Sequence, residues 1–228
     1  MVVDGLIPAL NEEENIQHVL MGLQGRGLRR VVLVDNGSTD ATAELARVHG
    51  AEVVTEPRRG YGSACLAGLE YLRNDPPDVV LFLDCDGADD PDDIPTLLEP
   101  VRTGEAEFVV GSRTSGPIEP GALTPVQHFG NVLSCALVRL LFGVKFTDLG
   151  PFRAITWSAI EDLEMADRDF GWTVEMQAKA AKRGVRCAEV PVACRRRHAG
   201  QSKVSGTLKG SFKAGVKILY TIGREAIR

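Results

Sequence analysis

The chain has 228 residues, 44% of them hydrophobic, enough to bury the core of one large domain or of one domain with an appendage. A formal net charge of -5 gives no reason to expect nucleic acid as a partner, although acid gathers at 84–93 and base from 195 onward. Five cysteines (65, 85, 135, 187 and 194) with no Cys-x-x-Cys pair speak against zinc and a disulfide framework; the N-terminus lacks the basic start of a signal peptide, and no stretch reaches the roughly 18 apolar residues of a membrane span, so the sequence reads as a reduced cytoplasmic chain.

Val2–Pro8 reads as a strand, and Asn11 with Glu14 three residues on suggests a capping box opening a helix over Glu12–Leu23. Val31–Val34 is a second strand, ending in Asp35-Asn36-Gly37-Ser38-Thr39-Asp40 before a helix over Ala41–His49. Val53–Thr55 follows, then Arg59-Gly60-Tyr61-Gly62-Ser63 and a helix to about Arg73. Val79–Leu83 is an unbroken apolar run, the signature of a strand buried on both faces, and it stops at Asp84-Cys85-Asp86. A helix over Asp92–Val101 and a strand over Glu107–Val110 continue the alternation, which argues for an α/β fold with a mostly parallel sheet covered on both faces.

After Gly111 the character changes. A Gly/Pro-rich loop at 114–124 precedes Pro125–Phe142, apolar enough to be either a core helix or a helix with one face against lipid. Lys145–Thr156 reads as loop and strand, Trp172–Arg183 as a helix, and Val185–Val192 as a strand whose Pro191 suits an edge or a strand end. The remainder is basic: Lys209, Lys213 and Lys217 recur at i, i+4, i+8 with Arg224 and Arg228 close to that stripe, and Phe212, Val216, Leu219 and Ile222 cover another flank. Such a helix docks on the sheet with a solvated lysine face, contacts anionic lipid, or does both.

Asp84 and Asp86 carry the clearest chemical signal. At i, i+2 on extended chain two carboxylates face the same way, at the end of a strand where open α/β sheets bind ligands, and hard oxygen ligands suit Mg²⁺ or Mn²⁺ carrying a diphosphate. Taken alone, the same Asp/Gly cluster reads equally well as a solvated turn.

The ordered set Ile7-Pro8-Ala9-Leu10-Asn11-Glu12, Val34–Asp40, Gly60-Tyr61-Gly62, Asp84-Cys85-Asp86, Gly111-Ser112-Arg113, Asp148-Leu149-Gly150-Pro151-Phe152-Arg153, Glu175-Met176 and Arg197 followed by Gly200-Gln201-Ser202-Lys203 resembles the family 2 inverting glycosyltransferases, in particular the dolichol-phosphate mannosyltransferase-like, polyprenyl-phosphate branch. The resemblance implies a GT-A fold, Rossmann-like with helices on both faces of a mostly parallel sheet plus a C-terminal amphipathic helix. It divides the chain into a glycosyltransferase domain at 1–204, with its nucleotide-binding half to about 113 and its acceptor half from 114, and a basic helix at 205–228. On the donor side it places Pro8, Leu10, Asn11, Glu12, Asp35, Gly60, Gly62, Asp84 and Cys85, with Asp84 and Asp86 as ligands of Mg²⁺ or Mn²⁺. Asp86, Arg113, Arg197 and Lys203 would act on the transferred charge, and Asp148, Arg153, Glu175 and Ser202 would lie in the acceptor region.

Each residue also has a structural reading. Glu12 suits a helix's first turn, Arg153 and Asp148 could pair with each other, and Glu175 could pair with Lys179 at i, i+4. Asp89, Asp90, Asp92 and Asp93 read mostly as helix-start residues, with Asp89 able to reach the site, and Ala88 stands where mannosyl relatives sometimes carry a further ligand, Gln. Relatives that glycosylate a hydroxyl carry an acidic pair near Phe170–Glu175; its absence here supports a phosphate acceptor, which is ionised already at a second pKa of about 6.

The implied function is transfer of a hexose from UDP-glucose or GDP-mannose to a polyprenyl phosphate, at the inner face of the membrane with peripheral contact to anionic lipid. The alternatives are transfer to a hydroxyl of a soluble molecule, with Asp89, Asp148 or Asp169 as base; a haloacid dehalogenase-type phosphohydrolase, which Leu83–Gly87 imitates although Ala88 breaks the motif; and a nucleotide-sugar-binding protein without activity.

Overall fold

The computed structural model describes residues 1–200 and 208–227. Strands β1 (Val3–Ala9), β2 (Arg30–Asp35), β3 (Glu52–Thr55), β4 (Val79–Phe82), β5 (Phe108–Ser112), β6 (Arg153–Thr156) and β7 (Cys187–Pro191) form one sheet in the order β3-β2-β1-β4-β6-β5-β7. All neighbours are parallel except β6, which runs antiparallel between β4 and β5. The helices are α1 (Glu13–Leu23), α2 (Thr42–Val48), α3 (Tyr61–Leu72), α4 (Ile94–Arg102), α5 (Pro125–Phe142), α6 (Trp157–Leu163), α7 (Trp172–Lys182) and α8 (Leu208–Ile227).

Side chains alternate across the strands and divide the core in two. Leu6, Val32, Val80 and Phe82 pack against α3, α5, α6 and α7; Ile7, Leu33, Val79 and Leu81 pack against α1, α2 and α4. Every residue of β4 is buried, as its unbroken apolar run requires. β1 lies between β2 and β4, and the chain leaves it toward β2 and β3 on one side before returning to β4 on the other. The carboxyl ends of β1 and β4 therefore flank a topological switch point, the crevice where α/β sheets take their ligands.

Three local expectations change. Asn11 and Glu14 do not form a capping box: Asn11 adopts a left-handed φ of 52°, and its Oδ1 accepts from the Thr39 amide at 2.8 Å, tying the loop after β1 to the loop after β2. The capping box stands instead at Thr124 and Gln127, opening α5. The seven residues of α6 went unrecognised because two turns carry little periodicity, although the Thr156 hydroxyl caps them by accepting from the Ala159 amide.

The third change concerns α8. Lys217 and Arg224 do not belong to a solvated face, whereas Lys213 is exposed. Lys217 Nζ lies 2.8 Å from Asp167, and Arg224 reaches Glu175 at 3.0 Å and Glu225 at 2.9 Å. Glu175 also takes Lys179 at 3.1 Å and the amide of Asp167 at 2.7 Å. Burial pushes Asp167 up, but hydrogen bonds from Lys217 and the Asp169 amide, with the charge of Arg224, more than reverse this and hold its carboxyl below the usual aspartate range. The folded chain then binds fewer protons here than the unfolded chain, so the stabilisation is complete above the ordinary aspartate pKa and is lost as pH falls through the folded-state value. Asp167→Asn should cost about 3 kcal/mol at neutral pH and flatten the acid limb of the stability profile, as read by urea melts across pH.

Candidate active site

Beyond β4 the chain turns back on itself through hydrogen bonds of its own carboxylates. The Asp84 amide donates to Asp89 Oδ2 at 3.0 Å and the Ala88 amide to Asp86 Oδ1 at 2.9 Å. Residues 194–199 lie across this turn: the His198 amide donates to the Asp86 carbonyl at 2.8 Å and the Arg195 amide to the Ala88 carbonyl at 3.0 Å. The turn's tip must be glycine, because at Gly87, with φ at 76°, an added Cβ would stand 3.1 Å from His198.

Arg197 joins the two sides of the switch point. Its guanidinium pairs with Glu12 after β1 and lies 3.3 Å from Asp86 after β4. Asn15 holds the same segment, accepting from the Ala199 amide at 2.9 Å and donating to Glu12 Oε2 at 2.6 Å, and the rings of His18 and His198 stack at 4.1 Å. Opposite, Arg113 makes a two-pronged bond to the wholly buried Asp148, at 2.7 and 2.8 Å, and its amide donates to the same carboxylate. Burial works against the Arg113 charge, but the bond to Asp148 prevails and fixes it as a cation.

The carboxylates are crowded. Burial, then the charges of Asp86 and Asp89, push Asp84 well above its usual range against the opposing effects of Arg113 and the Tyr61 hydroxyl. Burial likewise pushes Asp89 up to about 7. A divalent cation would relieve this repulsion, and the donor set is the hard-oxygen type that Mg²⁺ or Mn²⁺ prefers. Among the described residues no three His, Cys, Asp or Glu side chains are grouped so as to hold a metal ion by themselves.

The structure thus brings Glu12, Asp84, Asp86 and Arg197 together, with Arg113 and Asp148 close enough to act on the carboxylates electrostatically. Asn11 lines the same crevice by its position after β1, with Pro8 and Leu10 beside it on the strand end. Asp35 is buried and accepts from the Ser38 amide at 2.9 Å, shaping the loop after β2.

Other residues have structural partners, and one expected pairing, Arg153 with Asp148, is corrected. Gly60 and Gly62 make room for the chain itself: a Cβ at Gly60 would stand 2.1 Å from the Arg168 carbonyl oxygen and one at Gly62 2.0 Å from that of Asp167. Cys85 turns into the core beside β4, and burial pushes its thiol up. Arg153 does not pair with Asp148, which Arg113 takes; it is buried under the site, donates to the carbonyls of Leu149, Gly150 and Thr173, and is pulled down by burial to about 10. Glu175 is wholly buried and takes Lys179, as its helical spacing foresaw, together with Arg224. Asp90 accepts from the Asp92 amide as a helix-start residue, and Arg195 pairs with it. Ser202, Lys203 and Arg228 lie outside the described residues, as does the side chain of Lys209.

Three contributors escaped the sequence reading. Tyr61, between two glycines, lies near enough to Asp84 to lower its proton affinity. Asn36 donates to the Glu56 and Arg58 carbonyls and accepts from the Gly60 amide, fastening two loops together. Asn15 locks the 197–199 segment onto α1. Only the Gly-x-Gly frame around Tyr61 offered a signal. Gly62→Val should cost several kcal/mol, on the order of 3 or more, because backbone at Asp167 must move; thermal melts against the wild type would detect it.

Comparison with known proteins agrees with this geometry. The model of glycosyl transferase family 2 matches residues 6–163. A glycosyltransferase of Mycobacterium tuberculosis is 39% identical over 209 residues, covering 92% of each chain. The undecaprenyl-phosphate mannosyltransferase of Micrococcus luteus is 31% identical over 225 residues, covering 92% of this chain and 90% of its own. In fold, the chain is similar to glucosyl-3-phosphoglycerate synthase of Mycobacterium tuberculosis, solved with Mn²⁺, UDP and glucosyl-3-phosphoglycerate, at a TM-score of 0.80 and 23% identity over 99% of this chain and 80% of that one. A buried strand ending in paired carboxylates at the switch point, an α/β sheet with one inserted antiparallel strand, and a family match across most of the sheet lead to one conclusion: the chain is a glycosyltransferase and belongs to family 2.

Proposed function

We propose that this enzyme transfers a hexose from a nucleoside diphosphate sugar to a polyprenyl phosphate. The observation that carries the reading is the meeting of the crowded Asp84–Asp86–Asp89 carboxylates with two guanidiniums, Arg113 and Arg197. That arrangement suits a reaction in which charge moves between phosphates and no proton need be removed. Of the carboxylates that might have served as base, Asp148 is engaged by Arg113. The undecaprenyl-phosphate mannosyltransferase of Micrococcus luteus and a dolichyl-phosphate N-acetylglucosaminyltransferase of Methanococcus voltae, 27% identical over 238 residues, support a lipid-phosphate acceptor.

In this reading the donor half is residues 1–113 and the acceptor half 114–204. Glu12 and Asp35 receive the nucleoside, and Asp84 and Asp86 would hold Mg²⁺ or Mn²⁺, which would supply positive charge to the donor's diphosphate. Arg197 must yield Asp86 as the donor enters and can then turn its fork to phosphate. Arg113, held by Asp148, offers its remaining donors to the acceptor phosphate. An acceptor oxygen bonds the anomeric carbon from the face opposite the leaving group, the bond to the donor's β-phosphate oxygen breaks with its electron pair on the nucleoside diphosphate, and configuration inverts.

A second reading, transfer to a hydroxyl of a small soluble acceptor, draws on Asp89, the one site carboxyl raised to about 7 and so suited to accept a proton. The synthase of similar fold binds phosphoglyceric acid. Incubation with Mn²⁺, UDP- and GDP-sugars and a polyprenyl phosphate should yield a lipid-linked sugar and free nucleoside diphosphate; turnover of soluble hydroxyl acceptors alone would favour the second reading. Asp86→Asn should abolish metal-dependent donor binding in calorimetry, and Arg197→Gln should lower kcat by roughly 10²–10³-fold.

A further inference from the structure

The helix α8 buries Ala214 and Ile222 but turns part of its charge inward and part of its apolar surface outward. Its cations Lys217 and Arg224 point inward to Asp167 and Glu175, with Thr221 and Ile222 buried beside them. Its apolar stripe faces out: Phe212 is 75% exposed, Tyr220 62% and Ile227 89%. The helix packed along it behaves alike. On α5 the buried residues are Ser134, Cys135 and Val138, whereas Val126, Phe129, Leu133 and Leu140 are exposed, Phe129 at 70% and Leu140 at 78%. These positions recur at helical spacing, so each helix presents a continuous apolar strip. Apolar surface of this extent marks contact with an apolar partner.

Charge identifies the partner. The sequence of α5 contains no Asp or Glu, and the only acid of α8, Glu225, is buried against Arg224. The exposed charges bordering the strips are Arg139, Lys145 and Lys213, with His128 beside them, in a chain whose net charge is -5. Apolar strips rimmed by cations complement an anionic lipid layer, and Tyr220 adds a ring with a polar tip suited to its boundary. Among the described residues no helix is long and apolar enough to cross a membrane, so such contact would be made by helices lying in the plane.

A groove of about 660 Å³ opens within this face, lined by Val132, Leu140 and Phe146 with the cations Arg139 and Lys145, and it ends at Thr114 and Thr147, neighbours in sequence of Arg113 and Asp148. We propose that the α5–α8 face seats the enzyme on an anionic lipid surface, with the groove leading from the lipid layer toward Arg113. The seating stands independently of the reaction; only the use of the groove rests on the lipid-phosphate reading.

The test is sedimentation of the full chain with phosphatidylcholine vesicles, with and without phosphatidylglycerol. Binding should require the anionic lipid and weaken with salt. The double variant Phe129→Ser/Phe212→Ser should lose roughly tenfold or more in partitioning, while its thermal melt and its donor binding stay those of the wild type. Arg139→Glu/Lys145→Glu should reduce binding to anionic vesicles alone. Absence of vesicle binding by the wild type would overturn the proposal, as would undiminished binding by the serine variant. A wild-type dimer that the serine variant converts to a monomer would also overturn it, assigning the face to a second copy. Vesicle binding without formation of a lipid-linked sugar would leave the seating intact and refute the acceptor reading instead.

Discussion

Three carboxylates, Asp84, Asp86 and Asp89, are folded into one turn at the end of a fully buried strand, and the arrangement of the site follows from the cost of holding them there. Burial and neighbouring like charge raise the proton affinity of Asp84 and Asp89, and the chain answers with cations from distant segments. Arg113 comes from the end of β5, with its own carboxylate Asp148 to fix it, and Arg197 comes from the stretch after β7. Each is delivered by a different crossover, so the complete fold is needed before the turn is tolerable. In the proposed function, substrate and metal would enter a site whose carboxylates already face the Arg113 and Arg197 charges. Arg197 holds Asp86 and Glu12 across the crevice where a nucleoside diphosphate and its ion would lie.

The far side of the molecule is tied to this crevice through buried polar contacts. Asp167 and Glu175 gather Lys217 and Arg224 of α8, and the backbone one residue on, at Arg168, accepts from the Ser63 amide at the start of α3. Gly60 and Gly62 allow that approach, since any side chain there would strike the 167–168 carbonyls. The orientation of α8 and the shape of the loop after β3 thus depend on a common set of hydrogen bonds. Turning the cations of α8 inward leaves its apolar strip outward, which α5 extends.

The fold was largely legible because its signals are local. An unbroken apolar run marked β4, and short apolar runs alternating with helix-length segments marked the rest of the sheet and its cover. Asp84 and Asp86 were legible for the same reason: they end such a run. Arg153 and Cys85 sit inside true motifs, but a motif does not say which of its side chains are buried. Arg153 feeds three carbonyls beneath the site, and Cys85 completes the core. The expected pairing of Arg153 with Asp148 failed because a partner 35 residues away, Arg113, has the better geometry.

By itself the sequence determined the alternation of strands and helices, the buried central strands, the family and the carboxylate pair, since all of these depend on neighbours a few residues apart. Only the tertiary structure decided which cation meets which carboxylate, what the glycines at 60 and 62 make room for, and which flank of α8 faces out. Those outcomes depend on segments separated by tens to more than a hundred residues, and on burial, which strengthens a charge's need for a partner far beyond what its sequence neighbours reveal.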